Sequence, residues 1–393
     1  MKKLVLAGVM LASLLNAPAP AWAVTFVRVG VVEGGSNILI SSSVAADLLD
    51  ERGRAVMRIG PRESWTATGS GFGVQIQGPN GKQGLFSGSL WLSPVSGAGI
   101  PLVFARRHWY RGVLELKPTG SGLNVVNRVP LEQYLYGVVP SEIPRSWPMA
   151  ALKSQAVAAR SYAIANLGKH RSRGFDVCDS DDCQVYTGAS VENTSTNGAV
   201  DGTRGEVLVS GGKVIAAYFC SSAGGYTENS EDVWVRKESF IRAVPDYDQN
   251  SPHYTWYKNV SASSLAASLS RQGVNVGPLV TVTPLQRSYS GRVKTVQVVG
   301  QNGSRVVSGE NFRIAAGLAS TLFNVSARGS QPLAVPSPGA ASLPAEFAFA
   351  GRGWGHGLGL SQWGAKSLGE KGYPYTTILA HYYPGSQLRR GSY

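Results

Sequence analysis

One long run stands apart in this chain because it lacks both residues that interrupt helices. Met149–Leu167 contains no glycine or proline, although the 393 residues include 48 glycines and 21 prolines. Leu152 and Ala156 begin a series of apolar residues at helical spacing, and Ser146 and Pro148 are suited to a helix start. Because small residues lie on several sides, we expect this helix to be buried at the centre of a domain.

The rest of the chain is patterned for short strands, turns and a few late helices. Frequent glycine, valine, serine and threonine favour strands and turns over a helical protein. We therefore predict an α+β fold, with a central alanine-rich helix packed on antiparallel β-strands and a β-rich N-terminal region. The predicted strands cover 27–32, 37–40, 72–76, 112–116, 206–209, 213–219 and 292–299, and further helices cover 308–317, 361 to about 369 or 372, and 375–383.

The first residues have the pattern of an export signal. Lys2 and Lys3 precede an apolar run, Leu4–Leu15, and Ala21-Trp22-Ala23 is a small-x-small cleavage site. A membrane anchor is the alternative, but this run is shorter than the roughly 20 residues that span a bilayer. We predict a signal peptide over 1–23 and a location in the periplasm or cell wall, without a stable membrane span.

The mature chain divides by composition into two predicted units. Residues 24–110 form a β-rich N-terminal region, and 111–393 form the domain that carries the motifs described below. Within that domain, 330–344 is rich in proline, serine and alanine and is predicted to be a loop.

A net charge of +13 predicts an acidic partner. Outside the cytoplasm, wall polymers, anionic lipids and the stem-peptide carboxylates of peptidoglycan have the required charge. Nucleic acid is not expected, because the chain is predicted to be exported and lacks a basic stripe interleaved with aromatic residues.

The sequence lacks the motifs of several enzyme classes. The five histidines do not form a zinc-protease helix motif, and neither a Gly-x-Ser-x-Gly elbow nor a phosphate-binding Walker loop is present. Glu142 is instead a candidate acid, because Pro140 and Pro144 restrict the backbone on either side of it. We expect Glu142 to lie near the positive end of the central helix and to recover proton affinity through burial. The alternative is that Glu142 caps this helix or pairs with Arg145.

Four segments resemble the stage II sporulation protein D family, also called SpoIID/LytB. The longest combines Val-Pro-Leu-Glu-Gln-Tyr-Leu-Tyr-Gly-Val-Val-Pro-Ser-Glu-Ile-Pro at 129–144 with Trp-Pro at 147–148 and the helix at 151–163. The others lie at 183–188, 218–228 and 353–365, so the resemblance covers roughly residues 110 to 390.

The resemblance implies a peptidoglycan lytic transglycosylase with Glu142 as its catalytic acid. Such enzymes cut the bond between N-acetylmuramic acid and N-acetylglucosamine in strands stripped of peptides, without consuming water or using a cofactor. The family also includes enhancers of wall amidases, so a wall-binding activator of an N-acetylmuramoyl-L-alanine amidase is the main alternative. A muramidase that uses water is a third reading.

Other residues in the family segments are predicted to bind substrate. Gln155 and Arg160 offer hydrogen bonds, although Arg160 is equally suited to pair with an acid of the protein. Gln184 and Tyr186 offer an amide and a stacking ring, or simply end a strand. The loop residues and the last amide either contact sugar or complete tight turns and local structure; they are Ser221, Ser222, Gly225, His356 and Gln362.

The three cysteines leave alternatives open. Some family members hold zinc near the position of Cys178 and Cys183, but here only Asp and Ser residues separate the two, and the nearest histidine is His170. We expect a disulfide or two free thiols rather than a metal site. Cys220 follows an apolar run and is expected to be buried and inert.

Overall fold

The structure is a computed structural model that describes residues 25–71, 73–95, 99–120, 122–234, 236–329 and 343–391. The predicted signal peptide lies outside the described residues, as does the predicted loop except for residues 343 and 344. None of the helices described is long and apolar enough to cross a membrane. The predicted α+β fold is confirmed, with an alanine-rich helix among mostly antiparallel sheets.

The N-terminal region consists of short strands whose buried side chains belong to one hydrophobic core. Its strands are β1 (Phe26–Gly35), β2 (Ile38–Ser42), β3 (Ala46–Leu49), β4 (Ala55–Ile59), β5 (Trp65–Ser70), β6 (Gly73–Gln77), β7 (Gln83–Ser87), β8 (Leu90–Pro94), β9 (Val103–Ala105), β10 (His108–Tyr110), β11 (Val113–Thr119) and β12 (Gly122–Pro130).

These strands form two sheets. One has the order β10-β9-β2-β5-β6-β7, and the other has the order β1-β12-β11-β8-β3-β4, extended beyond β1 by the parallel strand β13 (Val177–Cys178). Strands β11 and β12 follow residue 110 in sequence, and they pair with β8 and β1, which precede it. The second sheet therefore contains strands from both sides of the predicted domain boundary. The domain boundary at that residue stays a prediction.

Three helices follow these sheets: α1 (Leu131–Glu142), α2 (Met149–Ala165) and α3 (Thr194–Asp201). Helix α2 is the predicted central helix, and it is buried on several sides. Leu152 and Ala156 face the N-terminal core, whereas Val157 and Ala158 belong to a second core. Ser146 does not cap α2, because a turn from Pro144 to Trp147 makes Pro148 the capping residue.

The second core includes elements from both ends of the remaining chain. They are β14 (Glu206–Ser210), β15 (Lys213–Val214), β16 (Phe219–Cys220), α4 (Ser230–Val233), β23 (Leu360–Ser361), α7 (Gln362–Glu370), α8 (Tyr375–Tyr382) and β24 (Gln387–Arg390). The predicted strand over 213–219 is therefore interrupted, and β16 pairs with β23 instead. As predicted, the Ser361 side chain caps α7 by accepting a hydrogen bond from Gly364.

Residues 255–352 add a unit with its own hydrophobic core. Its elements are β17 (Thr255–Ser261), α5 (Ala262–Arg271), β18 (Leu279–Arg287), β19 (Val293–Gly300), β20 (Gly303–Ser308), α6 (Gly309–Ala316), β21 (Phe323–Arg328) and β22 (Glu346–Arg352). The strands form two three-stranded antiparallel sheets, with the orders β17-β22-β21 and β18-β19-β20.

Arg160 on α2 ties four elements together rather than binding substrate. Its fully buried guanidinium makes two hydrogen bonds to Glu132 of α1, at 2.9 and 2.7 Å. The remaining N–H groups reach Val200 of α3, Thr203 and the carbonyl oxygen of Glu206 in β14. All five donors of the side chain are therefore used, which corrects the predicted substrate role.

Replacing Arg160 with Met should lower the urea concentration at which the protein unfolds. The change leaves Glu132 without its partner, a loss of roughly 3–5 kcal/mol for a buried pair. The matched control is Arg204→Gln, which breaks the exposed Arg204–Asp201 pair and should cost about 0–1 kcal/mol. Equal costs for the two variants would contradict the anchoring role of Arg160.

Candidate active site

Glu142 is the last residue of α1, and its carboxylate lies where three distant segments meet. Val185, in the loop after β13, donates its backbone N–H to Glu142 Oε1 at 2.8 Å. Gln362, the first residue of α7, places Nε2 at 3.5 Å from Oε2. One backbone and one side-chain donor thus fix the orientation of a half-buried acid.

Burial is the largest influence on this carboxyl group, and it raises the pKa of Glu142. The hydrogen bonds from Val185 and Gln362 act in the opposite direction, and the like charge of Asp181 adds a smaller upward effect. Glu142 is the last residue of α1 and precedes the central helix, which begins at Met149. The partial negative charge at the C-terminal end of α1 disfavours a carboxylate, so it also favours the protonated acid.

Gln155 lies beside the acid, as the sequence predicted. Its Oε1 is 3.5 Å from the same Nε2 of Gln362 that faces Glu142, so the three side chains form one polar cluster. Gln155 Nε2 is buried and has no hydrogen-bond partner among the described residues. Since buried donors are nearly always paired and Gln155 is only 1% exposed, an ordered water rather than a surface ligand would satisfy this amide.

Gln184 and Tyr186 flank the residue that holds the acid, but they face the protein interior. Gln184 Nε2 lies 3.4 Å from the hydroxyl of Tyr134, and Gln184 Oε1 is a buried acceptor without a described partner. The ring of Tyr186 packs 4.9 Å from that of Tyr134, and its hydroxyl donates to Asn127. Tyr186 is 2% exposed. Its predicted role as a sugar-stacking ring is therefore corrected to a core contact.

The loop over 221–225 has the geometry of a tight turn. Asp248 accepts hydrogen bonds from the Ser222 hydroxyl and from the backbone N–H of Gly225, which has a positive φ. Ser222 is fully buried and its hydroxyl is paired with Asp248, so it completes the tight turn, which is the alternative role predicted for this loop. Ser221 is half-buried, and its carbonyl oxygen accepts from the N–H of Trp363 at 3.0 Å.

His356 is also held by local structure. Its Nδ1 accepts a hydrogen bond from the N–H of Leu358, and its ring lies 5.5 Å from that of Trp234. Burial, helped by the positive charge of Arg292, lowers the pKa of His356 to about 4. His356 is therefore uncharged at neutral pH and does not serve as the proton donor.

Two features of the site were missed by sequence reasoning. The first is the Val185 amide, which the side-chain pattern does not reveal. The second is a pair of indole rings, Trp147 and Trp363, whose centroids are 5.1 Å apart at the Gln362 side of the cluster. Trp363 directly follows Gln362 in the family segment at 353–365, so the sequence itself points to this ring.

Known proteins similar to this chain identify its family. Residues 119–209 match the family model described as stage II sporulation protein, and 228–359 match a domain of unknown function. Stage II sporulation protein D of Bacillus amyloliquefaciens is 31% identical over 67% of this chain and 75% of its own length. The chain belongs to the stage II sporulation protein D family.

Two further relatives show the breadth of this similarity. An uncharacterized protein of Brachyspira hyodysenteriae is 32% identical over 71% of this chain and 72% of its own length. The amidase enhancer of Bacillus subtilis is 30% identical over 65% of this chain, but the match spans only 40% of that longer relative.

A cluster of possible metal ligands precedes Val185 in this family member. His170, Cys178, Asp182 and Cys183 each offer one ligand atom, and these atoms all lie within 4.8 Å of one another. Cys178 and Cys183 are free thiols, one of the two expected states, and β13 runs beside the turn that follows α2 and brings His170 to them. Two thiolates, an imidazole and a carboxylate fit a structural zinc ion.

The cluster fixes the loop that reaches the acid. Cys183 is two residues before Val185, and its Sγ lies 2.9 Å from that of Cys178, with both thiols free in this structure. Lys169 Nζ adds a contact at 3.1 Å to Asp182. Holding Cys183 therefore also limits the movement of the amide that binds Glu142. Cys220 is separate from the cluster, and burial raises the pKa of its thiol to about 12, as expected for an inert residue.

We expect protein purified under reducing conditions to contain one zinc ion per chain by elemental analysis. Removing the metal with a chelator should lower the melting temperature, because metal binding stabilises only the folded state. Cys183→Ser and His170→Ala should lose the ion, whereas the matched control Cys220→Ser should retain it. Metal-free protein with a Cys178–Cys183 disulfide in mass spectra would contradict this expectation.

Proposed function

We propose that this protein is an exported peptidoglycan lytic transglycosylase. It cleaves the bond between N-acetylmuramic acid and N-acetylglucosamine in septal or sporulation-type wall remodelling. The observation that carries the proposal is the half-buried carboxyl group of Glu142, because burial raises its pKa and so favours the protonated form needed by a general acid. Family membership supports the same assignment.

Glu142 acts first as acid and then as base. Its proton passes to the glycosidic oxygen as the bond to C1 of N-acetylmuramic acid breaks. The resulting carboxylate takes the proton of the C6 hydroxyl, whose oxygen attacks C1 and closes a 1,6-anhydro ring. Because the nucleophile belongs to the sugar, one carboxyl group suffices, unlike the pair used by ordinary glycosidases.

The neighbours of Glu142 have separate tasks in this cycle. The Val185 N–H stabilises the carboxylate that exists between the two proton transfers, while burial favours its reprotonation. Gln362 orients the second oxygen, and Gln155 lies behind Gln362, with its Oε1 3.5 Å from the same Nε2. Zinc held by Cys178, Cys183 and their neighbours would supply rigidity to the loop.

Activation of an amidase is the second candidate, and it rests on the name of the Bacillus subtilis relative. Such an activator would bind the wall together with an N-acetylmuramoyl-L-alanine amidase. It would not need a buried acid, so the consequence of removing the Glu142 charge separates the two proposals.

The decisive experiment is a product analysis on peptide-free glycan strands. Mature protein and its Glu142→Gln variant are incubated with the strands, and fragments are identified by mass spectrometry. The proposal predicts 1,6-anhydro-muramic ends with the wild type and at least a hundredfold fewer with the variant, as for loss of a general acid. Reducing ends instead would indicate a muramidase, and strand binding without fragments would favour the activator.

Glu142→Gln should also raise stability at neutral pH. The pKa of folded Glu142 lies above its ordinary value of 4.5, so ionisation weakens the folded state as pH rises through this interval. The neutral amide avoids that cost. Urea unfolding should therefore show a stabilised variant at pH 7 and no difference well below pH 4.5, where the carboxyl is protonated in both states. A variant less stable at pH 7 would indicate a structural acid.

A further inference from the structure

Large aromatic side chains are exposed on one part of the unit over 255–352 and its borders. Tyr257 and Tyr289 are 83% and 80% exposed, and Trp354 is 50% exposed. Tyr226 lies 6.2 Å from Tyr289, ring to ring, and is also exposed. Clustered aromatic surface of this kind usually marks a binding site, because a soluble protein otherwise buries such rings.

Two arginines accompany the rings, and neither belongs to an ion pair among the described residues. The Arg352 guanidinium lies 6.0 Å from the ring centroid of Tyr254 and is exposed. Arg287 donates to the carbonyl oxygens of Gly291 and Phe323, which leaves its charge without a carboxylate partner. We call this set, Tyr226, Tyr254, Tyr257, Tyr289, Trp354, Arg287 and Arg352, the aromatic–arginine face.

A shallow groove of about 280 Å³ crosses the face where β17, β21 and β22 lie side by side. Its wall includes Tyr257, both arginines and the polar side chains of Thr255 and Asn324. The residues that line the groove include no aspartate or glutamate. Rings, hydroxyl and amide groups, and uncompensated positive charge together suit an acidic saccharide.

The face connects to the catalytic cluster through direct contacts. Trp354 exchanges two backbone hydrogen bonds with Ser222, at 3.2 and 2.8 Å. The preceding residue, Ser221, accepts from the N–H of Trp363, which directly follows Gln362 beside Glu142. The face is therefore linked, through hydrogen-bonded neighbouring residues, to the segment that carries Gln362.

We propose that the aromatic–arginine face is a subsite for the glycan strand beyond the bond that is cleaved. It takes N-acetylmuramic acid units whose lactyl carboxylate is free. Tyr257 and Trp354 stack on sugar rings, and Arg352 binds the carboxylate. This inference rests on the proposed function, and it gives a physical reason for a preference for stripped strands, because a stem peptide converts the lactyl carboxylate to an amide.

The test measures binding rather than cleavage, with the Glu142→Gln protein as parent so that strands stay intact. Peptide-free strands are compared with the same strands after their carboxylates are converted to methylamides. Adding Arg352→Gln should weaken binding to the acidic strands about tenfold, the effect of one charge-assisted contact, and should not change binding to the amidated strands. Adding Tyr257→Ala should weaken binding to both.

Matched controls come from exposed residues outside the groove. Arg305→Gln removes a positive charge from β20, and Tyr373→Ala removes a 47% exposed ring. Both should bind like the parent. Melting temperatures within a degree or two of the parent, checked for every variant, separate lost contacts from lost folding.

Three results would overturn the inference. They are equal binding of acidic and amidated strands by the parent, unchanged binding by Arg352→Gln, and tighter Arg352-dependent binding to glycan-free teichoic acid than to strands. Cleavage by the wild type is scored separately. Anhydro products with unchanged Arg352→Gln binding would contradict the subsite alone, whereas Arg352-dependent binding without anhydro products would contradict the transglycosylase proposal alone.

Discussion

The hydrogen bond from the Val185 amide to Glu142 Oε1 is the contact on which the site depends. Burial alone would keep the acid protonated, and it would then release a proton reluctantly. The amide opposes that effect, so the same carboxyl group can donate a proton and later accept one. Because Val185 is two residues after Cys183, the thiol cluster and the Glu142 carboxylate belong to one structural unit.

This unit is assembled from residues far apart in sequence, so it requires a rigid centre. Helix α2 supplies that centre because its small side chains let two hydrophobic cores approach it from opposite sides. Arg160 then fixes α2 to α1, and α1 ends at the acid. The third segment enters through Gln362 at the start of α7, which the Ser361 cap holds in register.

Local patterns predicted much of this structure, including the burial of α2, whereas the burial of individual polar side chains did not follow from them. The alanine-rich run and the Ser361 cap are decided by neighbouring residues, and both were predicted. Helix α1 was missed because Gly137 and Pro140 oppose helix formation, and tertiary packing overrides them. The close approach of the Tyr186 ring explains why Gly137 has no side chain.

The candidate site was predictable only in part. Glu142 followed from the family resemblance, since the residues alone favoured a helix cap or a pair with Arg145. Gln155 and Gln362 were predicted and lie beside it. Arg160 and Tyr186 have suitable side chains for sugar, but the folded chain buries them. The contribution of His170 depends on a turn that brings distant ligands together.

Titration of the Glu142 carboxyl group tests most directly whether Glu142 is the proton donor. Protein labelled with ¹³C at glutamate carboxyl groups can be followed by NMR across the pH range, with Glu142→Gln identifying the signal. We predict that Glu142 titrates with a midpoint above the ordinary value of 4.5, and that replacing Gln362 with Leu raises this midpoint further. A midpoint at or below 4.5 would contradict the assignment of Glu142 as the proton donor.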